Sequence, residues 1–337
     1  MNKRPTLRDI AQRAGVSVSA VSYALKDGGN FPLAADTKNR IREIAREVGY
    51  VPNSLARSLK QRSSRTLGAI VDKPISNPRY AAIAQGLARG AADERFDLLL
   101  LAERDYAAAV DAVRGGQLDG IVFIGHDDHE VPTELADLVA RHGVPFGAID
   151  CGGSHAYTSV DFDYGQGVDL VVDALAAGGV NAIEYVRPLL SSRAEQTRED
   201  AMVAAARRRG IALRIVHTPT TVETLAAYEA DDNLASYRTS VTAAVSGALD
   251  DAHEAAAFVC SWGADVEYVY AAARARDPRI RVAGLARGTM DPALWPGLSY
   301  AVLPLVESGR AAASAVIAVA RDGAKPTRIV LSPSLVD

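Results

Sequence analysis

The residues best placed for specific chemistry lie in positions 6–25, TLRDIAQRAGVSVSAVSYAL. On a helix opening at Val18, Val21 and Leu25 turn inward, while Val18, Ser19, Ala20, Ser22 and Tyr23 stay on the side that a DNA major groove would see. Reading base edges is the chemistry that such a face supports. The elements that must hold it are also legible. Leu7, Ile10, Ala11 and Ala14 recur at i, i+3, i+4 and i+7, giving a first helix with one apolar face and Thr6 as its N-cap. Gly15 supplies the backbone freedom for a tight turn, and Ser17 is placed to cap the second helix. A third helix carries Ile41, Ile44, Ala45 and Val48 on one face and Arg40, Arg42 and Arg46 mostly off it. Three such stripes close one small core. An ordinary three-helix bundle would explain that core, but not the small polar outward face or the cations around it.

Charge divides the chain in the same place. Residues 1–65 hold 13 Lys and Arg against 5 Asp and Glu, and the remainder holds 24 against 36, so a basic head precedes an acidic body within a chain of net charge −4. That is the electrostatic footprint of a DNA-binding module joined to something that does not bind DNA. With 337 residues, 48% of them hydrophobic, and no run able to span a bilayer, two or three soluble domains are expected, without membrane association. No signal peptide is read before the first helix, which points to the cytoplasm and the nucleoid. Cys151 and Cys260 lie far apart without metal-ligand spacing and are expected as buried thiols. Residues 126–129, HDDH, read as a solvated turn. There is no nucleophile–base set, phosphate loop or metal cluster. An enzyme or a transport-type binding protein is therefore the weakest class, and no cofactor is expected.

Four segments are expected: a headpiece over 1–50, a hinge helix and linker over 51–65, a first α/β lobe over 66–150 and a second over 151–337, with the chain crossing back to the first around 286–320. Residues 54–60 have helical propensity but span only about two turns, too few to be stable alone in water. From Thr66 onward short β-rich runs alternate with Ala-rich helical stretches, the pattern of right-handed βαβ crossovers and parallel sheets. Residues 217–237 show no clear periodicity and read as an acidic surface excursion. Two like lobes face each other across a cleft, where small ligands sit at the carboxyl ends of parallel strands.

These pieces resemble the LacI/GalR family of bacterial transcription regulators over essentially the whole chain. The marks are T-L-x-D-I-A-x-x-A-G-V-S from Thr6 to Ser17, V-S-x-x-L from Val21 to Leu25, G-Y-x-P-N from Gly49 to Asn53 and A-x-x-L from Ala56 to Leu59. In the body, Val160-Asp161 with Gly165, and Gly143-Val144-Pro145, also look like the family. The resemblance implies an all-α helix-turn-helix headpiece on an α/β body whose two Rossmann-like, parallel-sheet lobes are of the periplasmic-binding-protein type. It places Val18, Ser19, Ser22 and Tyr23 nearest to base edges, and Ser17, Lys26 and Thr37 nearer to phosphates. Val18 and Ala20 suit a thymine methyl, while Ser19 and Ser22 discriminate weakly. Many relatives carry Arg where Tyr23 stands, so the preferred operator should differ. Asn53, Ala56, Leu59 and Lys60 would belong to a hinge helix that pairs with a partner's in the minor groove, with Leu59 as the wedge that kinks the duplex. The alternative is that Leu55 and Leu59 bury against the body. A two-residue excess around 31–36 lengthens the loop before the third helix.

The resemblance also implies a homodimer on double-stranded operator DNA, controlled by a small molecule between the lobes. Tyr80, Asp150, Arg198, Trp262, Arg287 and Leu303 stand at or near the positions that would meet it. Sugar-responsive relatives carry an Asn-Asp pair where Ser261-Trp262-Gly263 stands, a Gly-aromatic-Asp-Asp turn where 284–287 reads GLAR, and often a Gln where Leu303 stands. Two anchors for sugar hydroxyls are thus absent. A neutral sugar fits poorly, and an aromatic or anionic effector, stacked on Trp262 or paired with Arg198 and Arg287, fits better. The competing reading is a regulator that needs no ligand and keeps its body only for dimerisation.

Overall fold

The protein is seen in a computed structural model that describes residues 5–25, 33–51, 63–71, 75, 77–101, 105–125, 130–190, 192–221, 234–251, 256–288 and 290–337. The chain forms two units, Met1–Ser64 and Arg65–Asp337.

In the first unit, helices α1 (Leu7–Ala14), α2 (Val18–Ala24) and α3 (Ala35–Glu47) share one core built on Ile10, Ala11, Ala14, Val21, Ala24, Ile41 and Ala45. Leu25, Ile44 and Val48 pack at its margin and are only partly buried. Thr6 begins α1 with a reciprocal cap: its hydroxyl accepts from the Asp9 N–H at 3.4 Å, and its own N–H donates to the Asp9 carboxylate at 2.8 Å. Gly15 ends the helix at φ +64°, a left-handed conformation that favours glycine. The Ser17 hydroxyl then accepts from the Ala20 N–H at 3.2 Å and starts α2. Two of the arginines outside the apolar stripe of α3 have structural work. Arg40 donates to the Ala14 carbonyl at 2.8 Å and Arg42 to the Ala24 carbonyl at 3.3 Å, which satisfies exposed C-terminal carbonyls of α1 and α2.

The second unit holds two six-stranded sheets, ordered β11-β5-β4-β3-β1-β2 and β12-β10-β9-β8-β6-β7. The first comprises β1 (Thr66–Val71), β2 (Asp97–Leu101), β3 (Gly120–Ile124), β4 (Phe146–Ile149), β5 (Thr158–Phe162) and β11 (Arg328–Leu331). All its pairings are parallel. Strands such as β3, GIVFI, are apolar throughout because helices cover both faces. Those helices are α4 (Pro78–Asp93), α5 (Tyr106–Arg114) and α6 (Thr133–His142), joined by α11 (Leu305–Asp322) from the far end of the chain. The second sheet comprises β6 (Ala182–Pro188), β7 (Ala212–Thr218), β8 (Ala256–Cys260), β9 (Arg281–Gly284), β10 (Leu298–Val302) and the antiparallel β12 (Ser334–Val336). It packs with α7 (Tyr164–Ala177), α8 (Arg193–Arg209), α9 (Leu234–Asp251) and α10 (Gly263–Arg276).

The chain therefore passes between the lobes three times: from β5 to α7, from β10 to α11, and from β11 to β12. Strand β5, placed in the second lobe by a division at residue 150, instead pairs with β4 in the first, at Ile149 opposite Val160. The return to the first lobe falls within 286–320, between β10 of the second sheet and α11, whose Ala312, Ala313 and Val316 join the first-lobe core. It is secured by glycines. A β-carbon on Gly86 would lie 1.9 Å from the Val306 carbonyl oxygen, and one on Gly309 would lie 2.1 Å from that of Ile83, so α4 and α11 touch backbone to backbone. Residues 217–237, read as a surface excursion, are partly structured: β7 runs to Thr218, and α9 opens at Leu234 and buries Tyr237.

Candidate functional site

Two places gather the residues expected to function. The first is the outward side of α2. Val18 and Tyr23 are each 43% exposed, Ser19 is exposed, and Ala20 and Ser22 are half-buried. Apolar side chains of that size gain nothing from water, and α1 and α3 cover only the opposite side, on Val21 and Ala24. Ser17 is engaged as a cap, and the Thr6 hydroxyl also donates to Asp9 at 2.8 Å, so both act first on helix ends. Thr37 lies half-buried in the first turn of α3. Lys26, Asn53, Ala56, Leu59 and Lys60 lie outside the described residues, as do Leu55 and residues 126–129.

The second place is the cleft of the body. Asp150 follows β4 at φ +57°, a left-handed conformation unusual for a residue with a side chain and one that concentrates at functional sites. Its carboxylate is wholly buried and accepts from the Tyr164 hydroxyl at 2.7 Å and from Arg193 at 3.3 Å, and it also pairs with Arg79. Tyr164 opens α7 and Arg193 opens α8, both helices of the second lobe, so the end of β4 is tied across the lobe boundary. The Arg198 guanidinium lies over the Tyr164 ring, 4.3 Å from its centroid. One helical turn earlier Glu195 accepts from Arg198 at 2.7 Å and from the Trp262 indole N–H at 2.9 Å. Asp150, Tyr164, Arg198, Glu195 and Trp262 thus form one continuous chain of contacts.

Of the six residues expected around an effector, the structure brings Asp150, Arg198 and Trp262 into this network. Leu303 is buried beside it with Phe162, Tyr164 and Ala194. Tyr80 belongs to the first-lobe core with Leu67 and Ile83, and Arg287 is exposed. Sequence reasoning passed over Arg79, Tyr164, Arg193 and Glu195. The spacing of Glu195 and Arg198, three apart in a helical stretch, was the one available signal.

Beyond Trp262 the second-lobe wall is acidic and closed. Asp265, in the first turn of α10, is wholly buried, and it accepts a hydrogen bond from Tyr237. Burial pushes its pKa up to about 7, against the Tyr237 hydrogen bond and with help from the Glu195 charge. One oxygen of Asp265, one of Glu195 and the Ser261 hydroxyl are buried without a hydrogen-bond partner. The Cys260 thiol is wholly buried, and its pKa is raised by that burial. Among the described residues no group of three His, Cys, Asp or Glu could hold a metal ion, and no helix is long and apolar enough to cross a membrane.

A capped helix-turn-helix followed along the chain by two parallel-sheet lobes with a polar cleft defines a class, the two-lobed transcription regulators. Residues 6–53 match the family described as bacterial regulatory proteins, lacI family. The catabolite control protein A of Staphylococcus aureus (strain Mu50 / ATCC 700699) is 26% identical over 213 residues, 62% of this chain and 63% of that protein. That of Staphylococcus xylosus is 27% identical over 203 residues, 59% of each chain. These matches take in less than two thirds of the relatives' own length. The fold is that of a lac repressor dimer bound to operator and the anti-inducer ONPF, with TM-score 0.73, 19% identity, and coverage of 99% of this chain and 98% of that one. A CelR–cellobiose complex superposes with TM-score 0.63 at 20% identity over 99% of each chain. The headpiece thus matches the lacI family of bacterial regulatory proteins, and the chain as a whole is similar to LacI/GalR-type DNA-binding transcription regulators.

Proposed function

We propose that this protein is a cytoplasmic, nucleoid-associated repressor that binds a pseudo-palindromic operator as a homodimer and answers to a small molecule held between its lobes. The observation that carries the DNA-reading part is the exposed face of α2, where Val18, Ser19 and Tyr23 are presented on a helix capped at its start by Ser17 and held at its end by Arg42. One such helix reads a half-site, so a symmetric operator calls for two chains. Val18 and Ala20 favour thymine methyls, and the serines add weak hydrogen-bond discrimination. Hinge residues Asn53, Ala56, Leu59 and Lys60 enter the minor groove, with Leu59 as the wedge. Selection of bound sequences from a random DNA pool tests this reading. An inverted repeat should emerge, whereas recovery of no preferred sequence sinks it.

A second reading has an observation of its own. Asp150 and Arg198, the two residues best placed to grip an effector, already hold Arg79, Arg193, Tyr164 and Glu195 of the same chain. A ligand must displace those contacts, and the body of a ligand-independent regulator would have no need to. A panel of metabolites separates the two. If no compound shifts the melting temperature and none alters operator binding, effector control fails and the dimerisation-only reading stands.

A further inference from the structure

A cavity of about 490 Å³ opens beside the Asp150 network, on the side where α6 begins. Its walls include Glu130, Val131, Ala136, Cys151, Tyr157 and Arg193. None of the six residues expected to meet an effector lines it. The volume falls within the range of small-molecule sites, roughly 300–1,000 Å³. The loop after β4 forms its floor with Gly152 and Gly153, and both glycines are flanked by guanidinium groups. A β-carbon on Gly152 would meet Arg193 at 3.4 Å, and one on Gly153 would meet Arg328 at 2.3 Å. Arginines are thus laid against bare backbone at the mouth of a cleft. Val131, Ala136 and Tyr157 supply an apolar and aromatic wall, and Glu130 supplies an acceptor.

We infer that this cavity binds a small organic carboxylate with an aromatic or branched apolar body, taken by Arg193, and that binding releases Arg193 from Asp150. The inference deepens the effector-controlled reading and rests on it for its regulatory half. It also moves the anion site away from Arg198, whose guanidinium is committed to buried Glu195 at 2.7 Å, and from exposed Arg287. Arg193 is differently placed. Its side chain is 38% exposed, and it reaches Asp150 at 3.3 Å and Asp161 at 3.8 Å, contacts longer than a tight ion pair. Asp150 keeps Arg79 and the Tyr164 hydroxyl when Arg193 leaves, so the buried carboxylate is not stranded. Asp161 keeps the Gly152 N–H at 3.0 Å. Because Arg193 starts a second-lobe helix and both aspartates belong to the first lobe, a carboxylate drawing it into the cavity changes how the lobes are tied.

The test uses the full-length protein and a set of acids, 4-hydroxybenzoate, phenylacetate and 2-hydroxyisocaproate, each against its amide. At millimolar concentration at least one acid should raise the melting temperature by several degrees where its amide does not. Arg193→Gln should abolish that shift, and so should Ala136→Leu, which fills the cavity and leaves every charge in place. The acid that binds should change operator affinity at least threefold in the wild type and not in Ala136→Leu. Absence of a shift with all three acids, or an undiminished shift in Ala136→Leu, overturns the site. A shift that leaves operator affinity unchanged overturns the release of Arg193 as a signal. Failure of the DNA selection alone would sink the operator reading without touching the thermal shifts.

Discussion

Asp265 carries the clearest single-residue consequence. Its folded pKa of about 7 lies above the ordinary value of 3.8, so on raising the pH the unfolded chain gives up this proton first. The stability tied to the group is therefore complete below about pH 4 and is lost as pH climbs towards 7. The slope reaches ~1.4 kcal/mol per pH unit at most. Asp265→Asn keeps an acceptor for Tyr237 and cannot ionise. Urea midpoints measured from pH 4 to pH 8 should fall less steeply in that variant, which should be the more stable protein at pH 8. Parallel pH profiles would show that the buried carboxylate does not titrate in this range. Asp265 is also a residue that sequence alone could not single out, because its partner Tyr237 lies in a stretch without readable periodicity and its burial depends on how α9 meets α10.

At the scale of elements, caps and close contacts decide more than propensity. Helix α2 has only seven residues, too few to persist by itself, so its start must be held. Ser17→Ala removes the acceptor for the Ala20 N–H. It should cost the headpiece ~1 kcal/mol and weaken operator binding several-fold, with the melting of the body unchanged. A loss of body stability would show that the cap does not act on the headpiece alone. The contact between α4 and α11 makes a contrasting prediction. Gly86→Ala puts a methyl where the Val306 carbonyl oxygen now sits, and nothing on rigid backbone can swing away. The two helices must separate, at a cost of about 1–3 kcal/mol in thermal or urea unfolding of the body. Gly116→Ala, with no atom within 4 Å of the added carbon, isolates the conformational cost of a left-handed glycine and should be milder. The small residues of these helices look like ordinary Ala-rich amphipathic sequence. Only the structure shows which glycines are contact points.

For the whole molecule, the proposed function has the basic headpiece supply phosphate attraction and the α2 face supply selection, so specific and non-specific binding should respond differently to changes in the hinge. Leu59→Ala removes the proposed wedge without altering charge. Specific operator binding should fall at least tenfold while binding to random DNA stays within about twofold, as read by titration at fixed salt. Equal losses on both would mean that Leu59 serves packing instead.

Sequence by itself determined the headpiece, its caps and the alternating α/β texture of the body, because those rest on contacts between residues a few positions apart. Thr6 with Asp9, Gly15, Ser17 with Ala20, and the apolar stripes of α1 to α3 need no distant partner to be recognised. The resemblance to the LacI/GalR family drew attention to Asp150, Arg198 and Trp262 as candidates. What those three residues do was decided only by tertiary structure. The crossing from β5 to α7 sets Tyr164 between Asp150 and Arg198, and the start of α8 brings Arg193 and Glu195 to carboxylate and indole partners far away in sequence. A one-dimensional pattern records which side chains could pair. Burial and the path of the chain select which of them do, and here they tie Asp150 across the lobe boundary and hold Arg198 and Trp262 on Glu195 within the second lobe.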